Sequence, residues 1–157
     1  MQTNKNHIKI VTNNKKASFN YFLDEFFECG LVLTGTEIKS IRNHNPSLSD
    51  SYALIRNGEA FLINMNIPVY DKGNIFNHEP LRQRKLLLHK EEIKRLDRKV
   101  QEKGFTLIPL DFYLKNGRVK VKLGVCKGKK QFDKRSDIKE RDIKRDLQRE
   151  FRKKLDN

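Results

Sequence analysis

Two Asn-Gly pairs limit the folds open to this 157-residue chain more than any other feature of its sequence. Asn57-Gly58 and Asn116-Gly117 each separate two runs rich in β-forming residues. Asn and Gly readily adopt positive φ at both central positions of a type I′ turn, which joins antiparallel strands without splaying them. The sequence therefore predicts two β-hairpins.

A period-two pattern predicts further strands. Between positions 118 and 125, valine and leucine alternate with basic residues, as in a strand with one buried face and one cationic face. The runs 8–12 and 19–28, and a short run after Gly30, are also β-rich. About six short strands without βαβ alternation favour a small closed antiparallel barrel, because closure leaves no exposed strand edge. A barrel of the oligonucleotide-binding (OB) type is the expected architecture.

Two segments have the pattern of helices. Thr36 can cap a helix of about two turns that presents Glu37, Lys39 and Arg42 near solvent. In residues 89–104, apolar side chains recur every three or four positions, acidic residues lie in the first turn, and a glycine follows the last turn. The sequence therefore predicts one short helix and one longer, amphipathic helix beside the strands.

We expect two regions, a barrel over residues 1–126 and a basic tail over residues 127–157. The tail carries 13 Lys and Arg against 7 Asp and Glu, and apolar residues recur every four positions from Ile143 to Leu155. Because such a segment buries too little apolar surface to offset its backbone entropy, we expect it to be disordered in the free protein. A polyanion lying along its basic side would make it helical. The alternative is a permanent helix docked on the barrel.

The charge of the whole chain predicts a polyanionic partner. A formal net charge of +14 and a pI of about 9.9 suit binding to nucleic acid or to another anionic surface. No apolar run approaches the roughly 18 residues of a membrane span, and the first ten residues lack the apolar segment of a signal peptide. We therefore expect a cytoplasmic protein. Cys29 and Cys126 form no CxxC pair and are expected to be small buried hydrophobic residues.

The sequence contains no pattern typical of a catalytic or metal site. The four histidines are dispersed, and P-loop, GxGxxG and GxSxG motifs are absent. We therefore expect no catalytic residue, no metal and no cofactor, and a binding protein rather than an enzyme.

Basic side chains on the predicted barrel could form one continuous phosphate-contacting surface, with scattered solvated charges as the alternative. The candidate members are Lys39, Arg42, Arg82, Arg84, Lys85, Arg118, Lys120 and Lys122. Because lysine and arginine bind any phosphate, specific recognition of an RNA would depend on other groups. Glu28, His89 and exposed aromatic rings could supply the hydrogen bonds and stacking.

Five phrases of the sequence resemble those of one known family. They are NKKA at 14–17, GTEIKSIR at 35–42, LSDSYALIRNGEAFLIN at 48–64, RQRKLLLHKEEI at 82–93 and GVCKGKKQFDKRSDIKERD at 124–142. Together they closely resemble small protein B, the SsrA-binding protein family of bacteria, and the resemblance runs from about residue 8 to residue 145. The GKKxxDKR segment is its most specific part.

The resemblance implies a fold and a function. The fold is a six-stranded, mainly β, antiparallel OB-like barrel with two to three flanking helices and a C-terminal tail that is unstructured in solution. The function is that of an RNA-binding adaptor, which binds the tRNA-like domain of transfer-messenger RNA (tmRNA, or SsrA) as a monomer in a 1:1 complex. It delivers this RNA to stalled ribosomes for trans-translation, the tail occupying the decoding centre and the empty message channel among small-subunit ribosomal RNA.

The resemblance also assigns residues to two RNA surfaces. Candidates for the tmRNA surface are Glu28, Lys39, Arg42, Arg84, Lys85, Leu87, His89, Lys120 and Lys122. Candidates for the ribosome-engaging tail are Gly128, Lys129, Lys130, Phe132, Asp133, Lys134 and Arg135. One departure limits the transfer: the family often has a histidine and an acid before the tyrosine that corresponds to Tyr21. Because Phe19 and Asn20 stand there instead, no RNA contact is assigned to Phe19.

Two other classes of function stay open on the residues alone. The chain could be a general RNA chaperone or a ribosome-associated structural protein, for which the basic charge would serve but the GKKxxDKR motif would have no special role. A nuclease would need acidic metal ligands, and the sequence suggests no such set.

Overall fold

A computed structural model describes residues 7–71 and 77–156. The elements in these two ranges, in chain order, are β1 (Ile8–Asn13), α1 (Ala17–Asn20), β2 (Tyr21–Leu31), α2 (Gly35–Asn43), β3 (Tyr52–Arg56), β4 (Glu59–Ile63), β5 (Arg84–Leu87), α3 (Lys90–Lys103), β6 (Thr106–Lys115), β7 (Arg118–Gly128) and α4 (Gln131–Asp156). The chain is thus mainly β, with helices at the edges and at the C-terminal end.

The strands pair in a closed ring. Its order is β6-β3-β4-β5-β2-β7, and β7 pairs again with β6, so that six antiparallel strands form a barrel. The seventh strand, β1, lies along β6 and extends the sheet beyond the ring. The OB-like barrel predicted from the sequence is confirmed.

Both Asn-Gly hairpins are present as predicted. They join β3 to β4 and β6 to β7. The φ angles are 52° and 75° at Asn57 and Gly58, and 52° and 79° at Asn116 and Gly117. Positive φ at both central residues is the signature of the type I′ turn, and asparagine and glycine tolerate it at the least steric cost.

Two strands differ from the prediction. The run after Gly30 is not a separate strand, because β2 continues through this glycine to Leu31. A Cβ on residue 30 would lie 3.1 Å from the Cβ of Leu87, so glycine lets β2 and β5 approach without ending the strand. The strand β5 was not predicted. Its first buried position holds an arginine, Arg84, followed by the exposed Lys85, so the sequence lacks the alternation of apolar and polar residues that indicates a strand.

The two predicted helices are confirmed, with one change of boundary. Helix α2 begins after Thr34 rather than after Thr36, and the Thr34 N–H donates to Glu37 Oε1 at 2.8 Å. Helix α3 ends at Gly104, whose φ of 67° is the left-handed conformation typical of a glycine C-cap. The single-turn helix α1 was not predicted.

The barrel interior holds one apolar core made of side chains from β2 to β7, α2 and α3. Its members include Cys29, Leu48, Leu62, Met65, Ile67, Leu86, Leu96, Leu107, Phe112, Val121 and Leu123. Cys126 lies in a second, smaller cluster with Ala17 and Ile108. Burial raises the pKa of the Cys29 thiol to about 12 and that of Cys126 to about 11, which keeps both thiols protonated. The prediction that the cysteines are buried hydrophobic residues is confirmed.

Helix α4 leaves the barrel after β7. Every side chain from Ile138 to Arg152 is exposed, including the apolar stripe that contains Ile143, Leu147 and Phe151. The helical pattern of the tail is therefore present, but the stripe is not docked on the barrel. That this helix is lost in the free protein stays a prediction. Within residues 7–71 and 77–156, no helix is long and apolar enough to cross a membrane, and no three His, Cys, Asp or Glu side chains lie close enough to hold a metal.

Candidate nucleic-acid interface

A groove of about 820 Å³ opens at one end of the barrel, between β1, β2, α2 and β7. Its apolar lining includes Ile10, Val11, Leu31, Leu33, Ile38, Ile41 and Leu87, and its basic lining consists of Lys9, Arg42, Arg118 and Lys120. None of the described residues that line it is acidic. An apolar floor with a purely cationic rim suits a polyanion that also carries bases or riboses.

Three of the residues predicted to bind tmRNA lie in this groove. Arg42 extends from the end of α2, Lys120 from β7, and Leu87 from the end of β5. Leu87 is 52% exposed, which leaves an apolar contact open to a partner beside the cations of the groove. Lys39 lies on α2, three residues before Arg42, and its Nζ is 5.9 Å from the ring centroid of Tyr70.

Glu28 and Lys122 face each other across β2 and β7, beside the groove. The Tyr113 hydroxyl donates to Glu28 Oε2 at 2.6 Å, and Lys115 Nζ lies 3.2 Å from Glu28 Oε1. These two donors hold the pKa of the Glu28 carboxyl below its ordinary value, against the opposing effect of partial burial. Lys122 places its Nζ 4.2 Å from the ring centroid of Phe26.

The prediction that Arg84 contacts phosphate is wrong, and so is the prediction that Glu37 faces solvent. Both side chains are fully buried and form an ion pair. The Arg84 guanidinium also donates to the carbonyl oxygens of Met65 at 2.7 Å and Pro80 at 3.0 Å. With its donors used inside the protein, Arg84 joins β5 to α2 and cannot reach a ligand.

A third charge completes this buried cluster. Arg82 Nη2 lies 2.6 Å from Glu37 Oε1, so two arginines share one carboxylate. Burial alone would raise the pKa of Glu37, but the hydrogen bonds from Arg82, Thr34 and Arg84 outweigh it and hold the pKa below its ordinary value. Because α2 carries Lys39 and Arg42, the cluster fixes the position of two candidate RNA contacts.

The last two candidates on the barrel lie outside the groove. Lys85 points outward from β5, and its Nζ lies 3.2 Å from Glu59 Oε1 on β4. His89 is the exposed residue before α3, and its backbone N–H donates to Glu92 Oε1 at 3.0 Å. Its imidazole is exposed at the start of the helix, two residues beyond Leu87.

The tail motif begins where β7 ends. Gly128 lies opposite Tyr21, and the N–H of Lys129 donates to the carbonyl oxygen of Asn20 at 2.8 Å. The ammonium of Lys134 is 5.8 Å from the ring centroid of Phe19, which lies on α1. Lys130 and Arg135 are exposed. The backbones of Phe132 and Asp133 belong to α4, but their side chains lie outside the described residues.

Sequence reasoning missed part of the groove. Lys9 contributes a cation from β1, and Ile38 contributes apolar surface from α2, although neither was a candidate. The only signal for Lys9 is its place in a strand with exposed apolar neighbours, Ile8 and Ile10. For Ile38, the spacing from Ile41 indicated a helix face but not that this face opens onto a groove.

Comparison with known proteins gives one family. The model of the SmpB protein family matches residues 11–153. A curated SsrA-binding protein of Treponema denticola is 60% identical over 148 residues, which are 94% of this chain and 96% of that protein. Those of Desulfitobacterium hafniense and Geobacillus kaustophilus are 57% and 54% identical, over 92% and 93% of this chain and 93% and 94% of theirs.

Among solved structures, a chain described in connection with tmRNA-SmpB at the center of the bacterial ribosome superposes with a TM-score of 0.65. It is 44% identical in sequence, and the match covers 78% of this chain and 87% of that one. The closed barrel, the groove at its end and the basic segment that follows β7 thus occur in a chain whose three relatives named above are each described as an SsrA-binding protein. The chain belongs to the SmpB family of SsrA-binding proteins.

Proposed function

We propose that this protein is an RNA-binding adaptor that binds the tRNA-like domain of tmRNA and delivers it to stalled ribosomes for trans-translation. The observation that carries the proposal is the groove with an apolar floor and an all-cationic rim in a member of the SsrA-binding family. The solved structure described with tmRNA and the bacterial ribosome supports both partners. The protein acts as a monomer in a 1:1 complex, in the cytoplasm, where ribosomes are.

The groove is the proposed tmRNA surface. Arg42 and Lys120 contact phosphates from its two sides, and Lys39 extends the basic row along α2. Leu87 packs against a base or a ribose, which a phosphate-only surface would not need. The neighbouring Glu28 stays ionised and accepts hydrogen bonds from base or ribose donors, because Tyr113 and Lys115 favour its charged form.

The other barrel candidates extend this surface. Lys122 faces the same side as Glu28, and His89 lies just beyond Leu87. Lys85 is exposed beside Glu59, so a phosphate would have to compete with that carboxylate. Arg84 takes no part, because it is buried in the ion pair with Glu37.

The tail is the proposed ribosomal surface. Its motif begins at Gly128 and continues through Lys129, Lys130, Phe132, Asp133, Lys134 and Arg135 into α4. The basic helix beyond the motif is exposed, and the side chains of its apolar stripe at Ile143, Leu147 and Phe151 are not packed against the barrel. Ribosomal RNA in the decoding centre and in the empty message channel supplies the polyanion that stabilises it. Both partners are bound without chemical conversion, so the protein is not an enzyme.

The test compares two double substitutions, one on each proposed surface. Lys134→Ala with Arg135→Ala should leave the affinity for the tRNA-like domain within about twofold and abolish tagging on stalled ribosomes. Arg42→Ala with Leu87→Ala should weaken binding of that domain by at least about tenfold. Binding is measured across a salt series against an elongator tRNA of equal size, because phosphate contacts alone give affinity that simply falls with salt.

A matched control removes two exposed cations elsewhere. Lys94→Ala with Arg98→Ala on α3 lowers the net charge by two, as the tail variant does and by one more than the groove variant does, and should change neither binding nor tagging. If wild-type protein shows no preference for the tRNA-like domain, or if all three variants lose affinity equally, the chain is a general RNA chaperone. Loss of both activities in the tail variant alone would contradict separate surfaces.

A further inference from the structure

Buried polar side chains are concentrated on one side of helix α2. In the part of the chain that the structure describes, the buried polar and charged residues are Glu37, Ser40, Ser51, His78 and Arg84. All but Ser51 lie where α2 packs against residues 65–71 and 77–84. Because buried polar groups cost free energy unless each is bonded, their concentration in one contact calls for an explanation other than stability.

Hydrogen bonds join α2 to these two segments. The Ser40 hydroxyl donates to the carbonyl oxygen of Pro68. The Thr36 hydroxyl lies 3.0 Å from His78 Nδ1, and His78 Nε2 lies 2.8 Å from the carbonyl oxygen of Ile67. Because a carbonyl oxygen can only accept, Nε2 carries a proton, and in the neutral ring Nδ1 accepts from the Thr36 hydroxyl. One histidine therefore connects the start of the helix to the chain beyond β4.

The ion pair of Glu37 with Arg84 completes the contact. Arg84 also donates to the carbonyl oxygens of Met65 and Pro80, so it bonds to both segments as well as to the helix. The α2 clamp is our name for the side chains of Thr36, Glu37, Ser40, His78 and Arg84. Buried polar networks with paired donors and acceptors fix one geometry, so the clamp gives α2 a single position on the barrel.

The opposite side of α2 forms a wall of the groove. Ile38, Ile41 and Arg42 line the groove, and no residue of the clamp does. Ser40 and Arg42 are two residues apart, which separates their side chains by about 200° around the helix axis. A displacement of α2 at the clamp therefore changes the width of the groove and moves Arg42.

The same segments place an aromatic ring beside the other basic residue of α2. Asn77 Nδ2 donates to the carbonyl oxygen of Tyr70 at 2.6 Å, and Asn77 Oδ1 accepts from the Tyr70 N–H at 3.3 Å. Oδ1 also accepts from the N–H of His78 at 3.1 Å. Asn77 thus links the backbone at Tyr70 to the clamp, and the Tyr70 ring centroid lies 5.9 Å from Lys39 Nζ.

We propose that the α2 clamp sets the position of α2 for recognition of the tRNA-like domain, with Ser40 and His78 as positioning residues that do not touch the RNA. This inference rests on the proposed function of the groove. Phosphate contacts need cations at matching positions, and a groove wall that is fixed before binding loses less entropy when the RNA binds. A buried ion pair is often no more stabilising than apolar side chains of the same volume, so the polar clamp contributes geometry more than stability.

The first test uses two buried serines that form the same kind of hydrogen bond. The Ser40 hydroxyl donates to the carbonyl oxygen of Pro68, and the Ser51 hydroxyl donates to that of residue 48. Ser51 belongs to neither the clamp nor the groove lining. In the full-length protein, Ser40→Ala should weaken binding of the tRNA-like domain by about fivefold, whereas Ser51→Ala should stay within about twofold of wild type.

The salt dependence of binding separates positioning from general stability. Neither serine substitution changes the net charge, so a merely structural defect leaves the slope of log K against log salt unchanged. Because Ser40→Ala moves Lys39 and Arg42 away from their phosphates, its slope should become shallower by about one unit, as if a charge had been removed. Ser51→Ala should keep the wild-type slope.

A second pair of variants tests the histidine. His78→Leu removes both ring hydrogen bonds and should weaken binding by about tenfold, whereas His78→Gln keeps an amide N–H for the carbonyl oxygen of Ile67 and should restore most of the affinity. Leu96→Ala is the control for lost stability, because Leu96 is fully buried on α3 and no described residue of α3 lines the groove. It should lower the thermal midpoint at least as much as His78→Leu and leave the affinity within about twofold.

Equal affinities and equal slopes for wild type and Ser40→Ala would overturn the proposal, as would equal losses of affinity in Leu96→Ala and His78→Leu. Binding is measured at a temperature at which every variant is folded. Failure of the proposed function gives a different result, since wild-type protein would then show no preference for the tRNA-like domain over an elongator tRNA. In that case the slopes of the two serine variants still decide whether the clamp positions α2.

Discussion

The barrel and helix α4 are both basic, but they hold their charges in different ways. On the barrel, several acidic residues form ion pairs: Asp24 with Lys99, Glu25 with Arg95 and Glu28 with Lys115. The closed sheet holds these side chains in place. On α4, every side chain from Ile138 to Arg152 is exposed, and the apolar stripe covers nothing on the barrel. The barrel can therefore present a preformed surface, whereas α4 can be stabilised only by what it binds.

This difference divides the work of binding. A preformed groove loses little entropy when it binds RNA, so its shape can discriminate between RNAs. A helix without tertiary support pays its ordering cost at the moment of binding, which lowers affinity for each contact but lets it follow a narrow channel. Specificity is thus expected from the barrel, and occupancy of the ribosome from the tail.

Amide hydrogen exchange should give the largest contrast between the two regions. Amides of β7 at Val121 and Leu123 should exchange only on global unfolding, which costs about 5 to 15 kcal/mol in ordinary domains. Amides in the middle of α4 should open at a cost near zero, because an isolated helix in water is marginal. Protection should differ by about 1000-fold or more in free protein. Comparable protection would mean that the stripe docks, and the tail would then be no adaptable element.

The buried ion pair gives the next largest effect. Glu37→Gln leaves Arg84 and Arg82 without their shared carboxylate, and loss of one partner of a buried pair costs about 3 to 5 kcal/mol. The free energy of unfolding, measured with denaturant, should fall by about 3 kcal/mol. The matched control is Glu59→Gln, which removes the exposed pair with Lys85 and should cost less than about 1 kcal/mol. Equal losses in both variants would show that burial does not matter here.

The same cluster marks the limit of what sequence reasoning could achieve. The hairpins could be predicted, because Asn57-Gly58 and Asn116-Gly117 specify their turns locally. Arg84 could not be placed, because an arginine in a basic run has the same local pattern whether it faces RNA or the interior. Only the approach of α2 to β5, which joins residues 47 positions apart, decides between the two.

The candidate site divides along the same line. Leu87 came from the family resemblance alone, whereas Glu28 and His89 were candidates for their hydrogen-bonding groups as well. Nothing in the local spacing of these three residues distinguishes them from ordinary strand and loop residues. The groove depends on β1, β2, α2 and β7 meeting at one barrel end, which follows from closure of the sheet rather than from any one segment. Arg42 and Lys120 on the rim of the groove could therefore be predicted from the sequence, but the apolar floor between them could not.

A smaller effect on stability is expected from two glycines, Gly117 in the turn between β6 and β7 and Gly128 at the start of the tail motif. Gly117→Ala places a Cβ at a φ of 79° with open space around it, so the cost is backbone strain alone, about 1 kcal/mol. Gly128→Ala also has open space and no positive φ, and should change the free energy of unfolding by less than about 0.5 kcal/mol. If Gly128→Ala destabilises the barrel as much as Gly117→Ala does, the last residue of β7 contributes as much to barrel stability as the hairpin turn.

The smallest expected effect is a pH dependence at Glu28, which lies beside the groove. The pKa of Glu28 is lowered in the folded protein, chiefly by the hydrogen bond from Tyr113, so its stabilisation is present above the unfolded pKa, near 4.5. That stabilisation is lost as the pH falls through the lower, folded pKa. Between pH 5 and pH 3 the free energy of unfolding should therefore fall less steeply in Glu28→Gln than in wild type. The difference should be less than about 1 kcal/mol, because the carboxylate is partly exposed.

A second substitution identifies the cause of that slope. Tyr113→Phe keeps the Glu28 carboxylate but removes its strongest hydrogen bond, so the folded pKa should rise and the acid limb should flatten in the same direction. Unfolding is measured with denaturant from pH 3 to pH 7. A difference between wild type and Glu28→Gln that does not change with pH would mean that the charge of Glu28 is unimportant to the barrel. Glu28 would then be held in place only by packing, and its ionised state would be available to RNA without any cost to the fold.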